Sequence, residues 1–229
     1  MCGRYTLRAP ADVIADEFEL PVMPPWVPRW NIAPTQTVAA VRLTDGKPEG
    51  VNLRWGLIPW WAEDVKKLPL LINAKSETAA SKPAFRDAFK RRRCLVLADG
   101  FFEWQKIGKQ KQPWYYTLRN ERPFAFAGLW DRWKRGEQPI ESCTILTTDA
   151  NELAAAVHDR MPVILGREAR EAWLDPEIDD PAALQELLRP YPAAEMSAYQ
   201  VNPIVNKAGN DAPECVAPVD EGPAEPLFS

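Results

Sequence analysis

Histidine and paired cysteines are scarce in this chain. Its 229 residues include one histidine, His158, and four cysteines that lie far apart, Cys2, Cys94, Cys143 and Cys215. No C-x-x-C pair is present, so neither a zinc site nor a disulfide framework is indicated. A single histidine also argues against a histidine-rich metal site. We therefore expect no metal and no cofactor.

Long apolar runs are missing as well. No stretch approaches the roughly 20 residues that cross a bilayer, and no signal-peptide core is present. The sequence also lacks a glycine-rich phosphate loop and internal repeats. These absences predict a soluble, cytoplasmic protein that does not engage a membrane.

Enough apolar material is present for one large core, with 46% hydrophobic and 26% charged residues. The net charge of −4 is unevenly spread. From Glu168 to Ser229 there are 13 acidic and 3 basic residues, so residues 1–167 carry about +6. An anionic partner is therefore compatible with the first part of the chain, although an acidic tail on an ordinary enzyme would give the same figures.

Short alternating segments predict an α+β fold with curved, mainly antiparallel sheets and few helices. Strands are expected near residues 38–43, 51–58, 68–72, 94–98, 114–118, 124–130, 143–147 and 163–165. Helices are expected near 11–20, 151–157, 168–174 and 182–188, and the proline-rich segment 21–35 is expected to be a rigid loop. We expect one domain over residues 1–215 and a loose acidic, proline-rich tail over 216–229.

A basic helix is predicted after residue 80. Ser81 is a suitable N-cap, Pro83 suits the first turn, and Phe85 and Phe89 fall on one apolar face. Lys82, Arg86, Lys90 and Arg93 then share another face. Such a stripe is compatible with phosphate binding and equally with a solvated surface.

Cys2 is the residue with the most distinctive chemistry. If Met1 is removed, Cys2 carries a free α-amine beside its thiol. The amine titrates at about 8 and can form an imine with an aldehyde, after which the thiol can close a thiazolidine ring. Alternatively the thiol attacks a carbonyl and the amine is its base. A third interpretation is that Cys2 is an accident of the second codon.

Two further residues are candidates for proton transfer. Glu103 lies between Phe102 and Trp104, where partial desolvation would raise its pKa, although an edge-strand glutamate facing water is the alternative. His158 sits beside Asp159 and Arg160 at a helix-to-strand junction, where a structural histidine is the commoner case.

Six separated motifs together resemble one family. They are Cys2-Gly3-Arg4-Tyr5, Trp30-Asn31-Ile32-Ala33-Pro34, Trp55-Gly56-Leu57-Ile58-Pro59 with Trp60-Trp61, Asn73-Ala74-Lys75-Ser76-Glu77, Ala98-Asp99-Gly100-Phe101-Phe102-Glu103-Trp104 and His158-Asp159-Arg160-Met161-Pro162. In this order they resemble the SRAP family, the SOS response-associated peptidases, with a pseudo-barrel fold. The resemblance implies a monomer that shields abasic sites in single-stranded DNA through a covalent thiazolidine on Cys2.

The resemblance also implies residue roles. Cys2 would be the nucleophile, Asn73 would orient its amine, Glu103 would shuttle protons, and His158 would bind the sugar oxygen or a flanking phosphate and assist reversal. Arg4, Lys75, Lys82 and Arg86 would contact phosphates, while Ile32, Pro34 and Trp61, with Trp60 beside it, would form an apolar wedge among the bases. Autoproteolytic removal of Met1 and lyase activity, with little or no multiple turnover, are implied too.

Two departures from the family pattern concern DNA binding. Lys75 stands where an arginine is usual, and Pro83 stands where a basic residue is expected. The alternative function is a thiol peptidase or amidohydrolase that uses Cys2 and His158. Arg4 beside the nucleophile and the lack of a glycine-rich oxyanion segment argue against that alternative.

Overall fold

The computed structural model describes residues 2–219. Within that range the strands are β1 (Arg4–Leu7), β2 (Arg29–Ile32), β3 (Thr37–Thr44), β4 (Lys47–Trp55), β5 (Asn73–Lys75), β6 (Arg93–Ala98), β7 (Gly100–Ile107), β8 (Gln110–Leu118), β9 (Phe124–Trp133), β10 (Ile140–Asp149), β11 (Arg160–Pro162), β12 (Ile164–Leu165) and β13 (Met196–Gln200). The α-helices are α1 (Ala11–Glu17), α2 (Ser76–Ala79), α3 (Arg86–Arg91), α4 (Glu152–Ala155), α5 (Arg167–Leu174) and α6 (Pro181–Glu186). All six helices are short.

The larger sheet closes on itself. Its strands follow the order β10-β4-β3-β6-β9, and β9 pairs back with β10 to complete a ring. Strands β5 and β11 add to β10, and β12 adds to β9. All pairings are antiparallel except those of β10 with β4 and β5. The predicted fold, an α+β pseudo-barrel of curved and mainly antiparallel sheet, is therefore confirmed.

The second sheet carries the start of the chain. Its order is β13-β8-β7-β1-β2, and all of its pairings are antiparallel. Buried aromatic side chains join it to the ring. Tyr5 of β1 contacts Trp55 and Phe126 edge-on, with ring centroids 5.2 and 5.7 Å apart, and Phe101 of β7 contacts Phe126 edge-on at 6.2 Å. These contacts fix β1 and β7 against the ring.

Two predicted elements were wrong. Residues 68–72 do not form a strand, because Pro69 cannot donate to a ladder and Leu70 is exposed; Leu71 alone bridges to Leu57. The paired segment is instead β5, which begins at Asn73. Conversely, the end of the expected loop 21–35 contains β2, which pairs with β1.

The basic helix also differs from its prediction. It begins at Arg86 rather than near Ser81, whose hydroxyl donates to the Thr78 carbonyl oxygen instead of capping a helix. Arg93 is buried in β6, where its guanidinium donates to the backbone oxygens of Phe89, Lys90, Trp173, Asp175 and Ile178. Arg93 therefore does not belong to the exposed stripe, which is reduced to Lys82, Arg86 and Lys90.

The first four residues of the expected tail are bound to the second sheet. Pro218 bridges to Val201, and the amide of Val219 donates to the Gln200 carbonyl oxygen over 3.0 Å. The rest of that tail, residues 220–229, lies outside the described residues. Met1, on whose removal the predicted chemistry of Cys2 depends, lies outside them too. No helix within residues 2–219 is both long enough and apolar enough to cross a membrane.

Asp99 joins the two sheets where β6 turns into β7. One carboxylate oxygen accepts the amides of Arg8 and Ala9, at 2.5 and 3.0 Å, and the other accepts the Thr6 hydroxyl at 2.5 Å. The side chain is buried. A buried carboxylate with several donors holds the end of β1 against β7.

We expect Asp99→Asn to lower the free energy of unfolding by about 2–3 kcal/mol, because an amide group turns a donor toward these N–H groups. Urea denaturation measures the loss. Asp45→Asn, in the exposed turn after β3, is the control and should change stability by about 0.5 kcal/mol or less. Equal stability of Asp99→Asn and the wild type would contradict this role.

Candidate functional site

The register of β1 places the start of the chain beside Glu103. Arg4 pairs with Phe102 and Tyr5 with Phe101 in antiparallel order. Residues preceding Arg4 therefore run alongside Glu103 in β7. Cys2 is fully buried there, with its sulfur 3.7 Å from the Arg4 carbonyl oxygen.

Asn73 holds the backbone of Cys2. Its Nδ2 donates to the Cys2 carbonyl oxygen over 2.8 Å. Asn73 is presented by β5, which pairs in parallel with β10 at Ile145. Its Oδ1 is buried and has no hydrogen-bond partner among residues 2–219. The side chain thus fixes the Cys2 backbone with one atom and offers an acceptor with the other.

Glu103 is a buried acid. Its side chain is 3% exposed, lies between Phe102 and Trp104 in sequence, and faces Trp114 across the ladder. Burial raises its pKa from 4.5 to about 7, as the aromatic surroundings predicted, while the positive amino terminus acts in the opposite direction. Near neutral pH this carboxyl group can both accept and release a proton.

The same buried surroundings change the pKa of the Cys2 thiol. Burial, and secondarily the charge of Glu103, raise the pKa of the thiol far above its usual range. In this conformation the sulfur is therefore a neutral thiol at neutral pH. Because the thiolate is the nucleophilic form of cysteine, the thiol needs a proton acceptor before it can attack.

His158 faces the same cleft with a neutral ring. Its Nδ1 lies 3.0 Å from the Arg160 amide nitrogen and 2.9 Å from the Asp159 carboxylate. The same nitrogen cannot accept a hydrogen bond from the amide and also donate one to the carboxylate. Burial lowers the pKa of His158, which favours the neutral ring with Nδ1 as acceptor. The Asp159 side chain is 86% exposed, so its contact is weakened by solvent. The ring proton is then on Nε2.

A cleft of about 520 Å³ brings Glu103 and His158 together, while Cys2 and Asn73 do not line it. It is lined by Arg4, Glu103, Trp104, Lys111, His158 and Asn206. Arg4 is held by the Asn31 side-chain oxygen and the Val205 carbonyl oxygen, both at 2.9 Å. Asn31 in turn donates to the carbonyl oxygens of Val205, Lys207 and Asn210. The segment after β13 thereby forms one wall of the cleft.

Arg160 ties two of the sequence motifs together. Its guanidinium donates to both oxygens of Glu77, at 2.7 and 3.0 Å, and to Asp149 and the Thr147 carbonyl oxygen. Glu77 follows the strand of Asn73, and Arg160 follows His158 by two residues. A bidentate pair of this kind fixes Asn73 and His158 relative to β10.

The residues that were expected to contact DNA differ in how exposed they are. Arg4 lines the cleft, and Lys75, Lys82 and Arg86 are exposed. Trp60 and Trp61 are 49% and 38% exposed, and Pro34 is half-buried. Ile32 is fully buried, because its side chain packs in the core where β2 pairs with β1. The expectation that Ile32 forms part of a wedge was therefore wrong.

Sequence reasoning missed several residues at the cleft. Lys111 and Asn206 line it, and Asn31 supports its wall. Asn31 stands inside a quoted motif, so a buried asparagine with several carbonyl partners was a detectable signal. Lys111 and Asn206 carry no local signal, because only the pairing of β7 with β8 and the path after β13 bring them to the cleft. Among residues 2–219, no group of three or more metal-ligating side chains is present.

Comparisons with known proteins converge on one family. The model of the family described as SOS response associated peptidase (SRAP) matches residues 1–208. The chain is 43% identical to the abasic site processing protein YoqW of Bacillus subtilis, over 94% of this chain and 99% of that protein. It is 36% identical to the abasic site processing protein HMCES of Gallus gallus, over 75% of this chain and 58% of that protein.

Solved structures have the same fold. A protein from Bacteroides thetaiotaomicron superposes with a TM-score of 0.80 at 28% identity, covering 95% of this chain and all of that one. A phage-related protein from Bordetella bronchiseptica gives a TM-score of 0.71 at 30% identity, covering 88% of this chain and 94% of that one.

The raised pKa of Glu103 predicts a pH-dependent stability. The folded protein holds this proton more tightly than the unfolded chain, so stability is lost as pH rises from about 4.5 through about 7. Glu103→Gln removes that loss. The stability of the variant relative to wild type should rise by about 2–3 kcal/mol between pH 4 and pH 8.

Denaturation of both proteins at the two pH values measures this change. Glu63→Gln, an exposed glutamate, is the control and should differ little from wild type at either pH. If the relative stability of Glu103→Gln is the same at pH 4 and pH 8, the carboxyl group is not held in the environment described.

Proposed function

Because the chain belongs to the SRAP family, we propose that it processes abasic sites in single-stranded DNA by covalent attachment through Cys2. The relatives named above are called abasic site processing proteins. The observation that carries the proposal is the 2.8 Å bond from Asn73 to the Cys2 backbone, at a cleft lined by Glu103, His158 and Arg4. We expect a monomer that acts in the cytoplasm without a cofactor.

The first step is imine formation by the α-amine. Removal of Met1 exposes this amine on Cys2, and the buried Oδ1 of Asn73 can accept a hydrogen bond from the amine and so orient it. The amine nitrogen attacks the aldehyde carbon of the ring-opened abasic sugar. Glu103 in its acid form protonates the departing oxygen, which leaves as water. The product is an imine between Cys2 and the DNA.

The second step is closure by sulfur. The neutral thiol gives up its proton, the sulfur attacks the imine carbon, and the nitrogen gains a proton, so no further atom is lost. Glu103, with its pKa of about 7, can carry that proton from sulfur to nitrogen. The five-membered thiazolidine that results reverses far less readily than an open imine. The raised pKa of the thiol supports this order, with the amine first.

The proposed role of His158 is to bind the abasic sugar or a phosphate beside it. A neutral ring with its proton on Nε2 is a hydrogen-bond donor, so it can bind the sugar oxygen or a flanking phosphate in the cleft. The same donor assists ring opening and the reverse reaction. Arg160 fixes the loop that carries this ring by its bidentate pair with Glu77.

DNA is held by cations and indoles. Arg4 in the cleft and the exposed Lys75, Lys82 and Arg86 contact phosphates, which makes the affinity dependent on salt. Trp60 and Trp61, with Pro34, supply the apolar surface for bases, and stacking of this kind accepts any base sequence. A lesion that can occur at any base requires such tolerance.

The thiol peptidase alternative depends on a thiolate as the first nucleophile. Burial favours the neutral thiol of Cys2 instead, so nothing in the site favours this alternative over the amine-first reaction.

We expect wild-type protein to form an adduct with abasic single-stranded DNA that survives denaturant without a reducing agent. Cys2→Ser keeps the amine and loses the sulfur, so its adduct should appear only after borohydride reduction of the imine. Denaturing electrophoresis with labelled DNA measures both.

Cys94→Ala, another buried cysteine, is the matched control and should cross-link as the wild type does. An unreduced, stable adduct in Cys2→Ser, or none in wild type whose Met1 has been removed, would overturn the proposal. Turnover of a small amide substrate by the wild type without any adduct would favour the peptidase alternative.

A further inference from the structure

A second basic surface adjoins the exposed tryptophans. A depression of about 500 Å³ is lined by two indoles and four cations, Trp60, Trp130, Arg92, Arg132, Lys134 and Arg135. We call it the β9–β10 basin, because most of these residues lie in β9 or in the turn that follows it. Asp131 supplies a carboxylate to the lining, so the lining residues carry a net charge of about +3, and Glu141 pairs with Arg132 at 3.8 Å from outside the lining.

Trp60 separates the β9–β10 basin from a second depression. That neighbour, of about 400 Å³, is lined by Trp60, Trp61, Pro83, Arg86 and Asp87. It contains Trp60, Trp61 and Arg86, to which the proposed function already assigns DNA contacts. A strand of DNA that stacks on Trp61 and Trp60 therefore reaches the basin without leaving the protein surface.

A buried carboxylate, that of Asp131, fixes the position of Trp60 relative to Arg92. The backbone amide of Trp60 donates to Asp131 over 3.0 Å, and Arg92 pairs with the same carboxylate at 3.2 Å. Asp131 is buried, so these bonds resist exchange with water. The wall between the two depressions is thus attached to β9 itself.

The turn after β9 is anchored to the segment that carries both exposed tryptophans. Trp133 is buried against Ile58 and Ala62, and its Nε1 donates to the Ala62 carbonyl oxygen over 2.7 Å. Lys134 and Arg135 follow directly and are exposed. Their charged ends are therefore presented beside Trp60 by a packed base rather than by a loose loop.

The chemistry of the basin matches a phosphodiester backbone. Exposed cations beside indole surfaces are the combination that tracks single-stranded nucleic acid, with phosphates on the cations and bases on the rings. Arg42 lies over one face of Trp130, with its guanidinium carbon 4.3 Å from the ring centroid, and steadies that ring. An acidic peptide would satisfy the cations but leave the indoles without stacking partners.

We propose that the β9–β10 basin binds the phosphodiester backbone of the DNA flanking the lesion, as a continuation of the track over Trp61 and Trp60. The inference rests on the proposed function, because it assigns the strand at the cleft to this surface. The basin adds affinity for longer DNA and takes no part in the covalent step. Its contribution is independent of base sequence.

The test compares binding and cross-linking with DNA of two lengths, about 5 and about 20 nucleotides. The variant Arg132→Gln/Lys134→Gln/Arg135→Gln removes three cations of the basin. Lys47→Gln/Arg122→Gln/Arg189→Gln is the control, because it removes the same charge from exposed sites that line neither depression. Fluorescence anisotropy with undamaged single-stranded DNA at several salt concentrations gives the affinity and its salt slope.

We expect the basin variant to bind the longer DNA about tenfold more weakly at low salt and to lose about 2 units of salt slope, since each single-strand phosphate contact contributes about 0.7. The control variant should keep most of the wild-type affinity and most of the wild-type salt slope. With the short abasic DNA, the basin variant should cross-link at the wild-type rate.

The two proposals can fail separately. Equal salt slopes in the basin variant and the control would overturn the proposal that the basin binds phosphates, even if cross-linking is normal. So would equal binding of a polyglutamate peptide of matched charge, because the indoles would then add nothing. Absence of any adduct in wild type would overturn the proposed function, while the binding of undamaged DNA would still decide whether the basin contacts phosphates.

Discussion

The pairing of β1 between β2 and β7 is the constraint on which the site depends. Arg4 and Tyr5 are locked opposite Phe102 and Phe101, and Asp99 holds the far end of β1 through four donors. Since a strand between two partners cannot slide without breaking both ladders, the position of Cys2 relative to Glu103 is fixed by backbone pairing. The residues that precede β1 are therefore held in place by the sheet that begins at Arg4.

That placement explains why the pKa values of Cys2 and Glu103 are raised. A strand between two others is buried, so Cys2 and the Glu103 beside it both lose water. The loss raises the pKa of each group, but with different consequences. The thiol becomes a poor first nucleophile, whereas the carboxyl group becomes a proton carrier suited to neutral pH. The amine-first reaction that we propose follows from this difference between the two groups.

The sequence predicted the parts of this arrangement that depend on local pattern. Alternation and turn residues identified most strands, and the Asp45-Gly46 turn takes positive φ at both residues as a tight hairpin requires. The aromatic neighbours of Glu103 predicted its raised pKa. The parallel pairings of β10 with β4, which helps to close the ring, and with β5 join residues more than 70 positions apart, so no local pattern predicts them.

The errors share a physical cause. Ile32 was expected at the surface and Arg93 on an exposed stripe, yet both are buried, because tertiary pairing decides which face of a short strand turns inward. Lys111 and Asn206 were missed for the same reason. Which cations lie side by side also depends on the fold, since the β9–β10 basin unites Arg92 with residues about 40 positions later.

The central claim is that the adduct forms on the amine and sulfur of Cys2. Proteolysis of the unreduced adduct, followed by tandem mass spectrometry of the DNA-bearing peptide, locates the attachment most directly. The account predicts a sugar remnant on the peptide that begins with Cys2, with a mass increase equal to the sugar aldehyde less one water. A remnant on a lysine such as Lys75 or Lys111, or on a peptide that retains Met1, would contradict it.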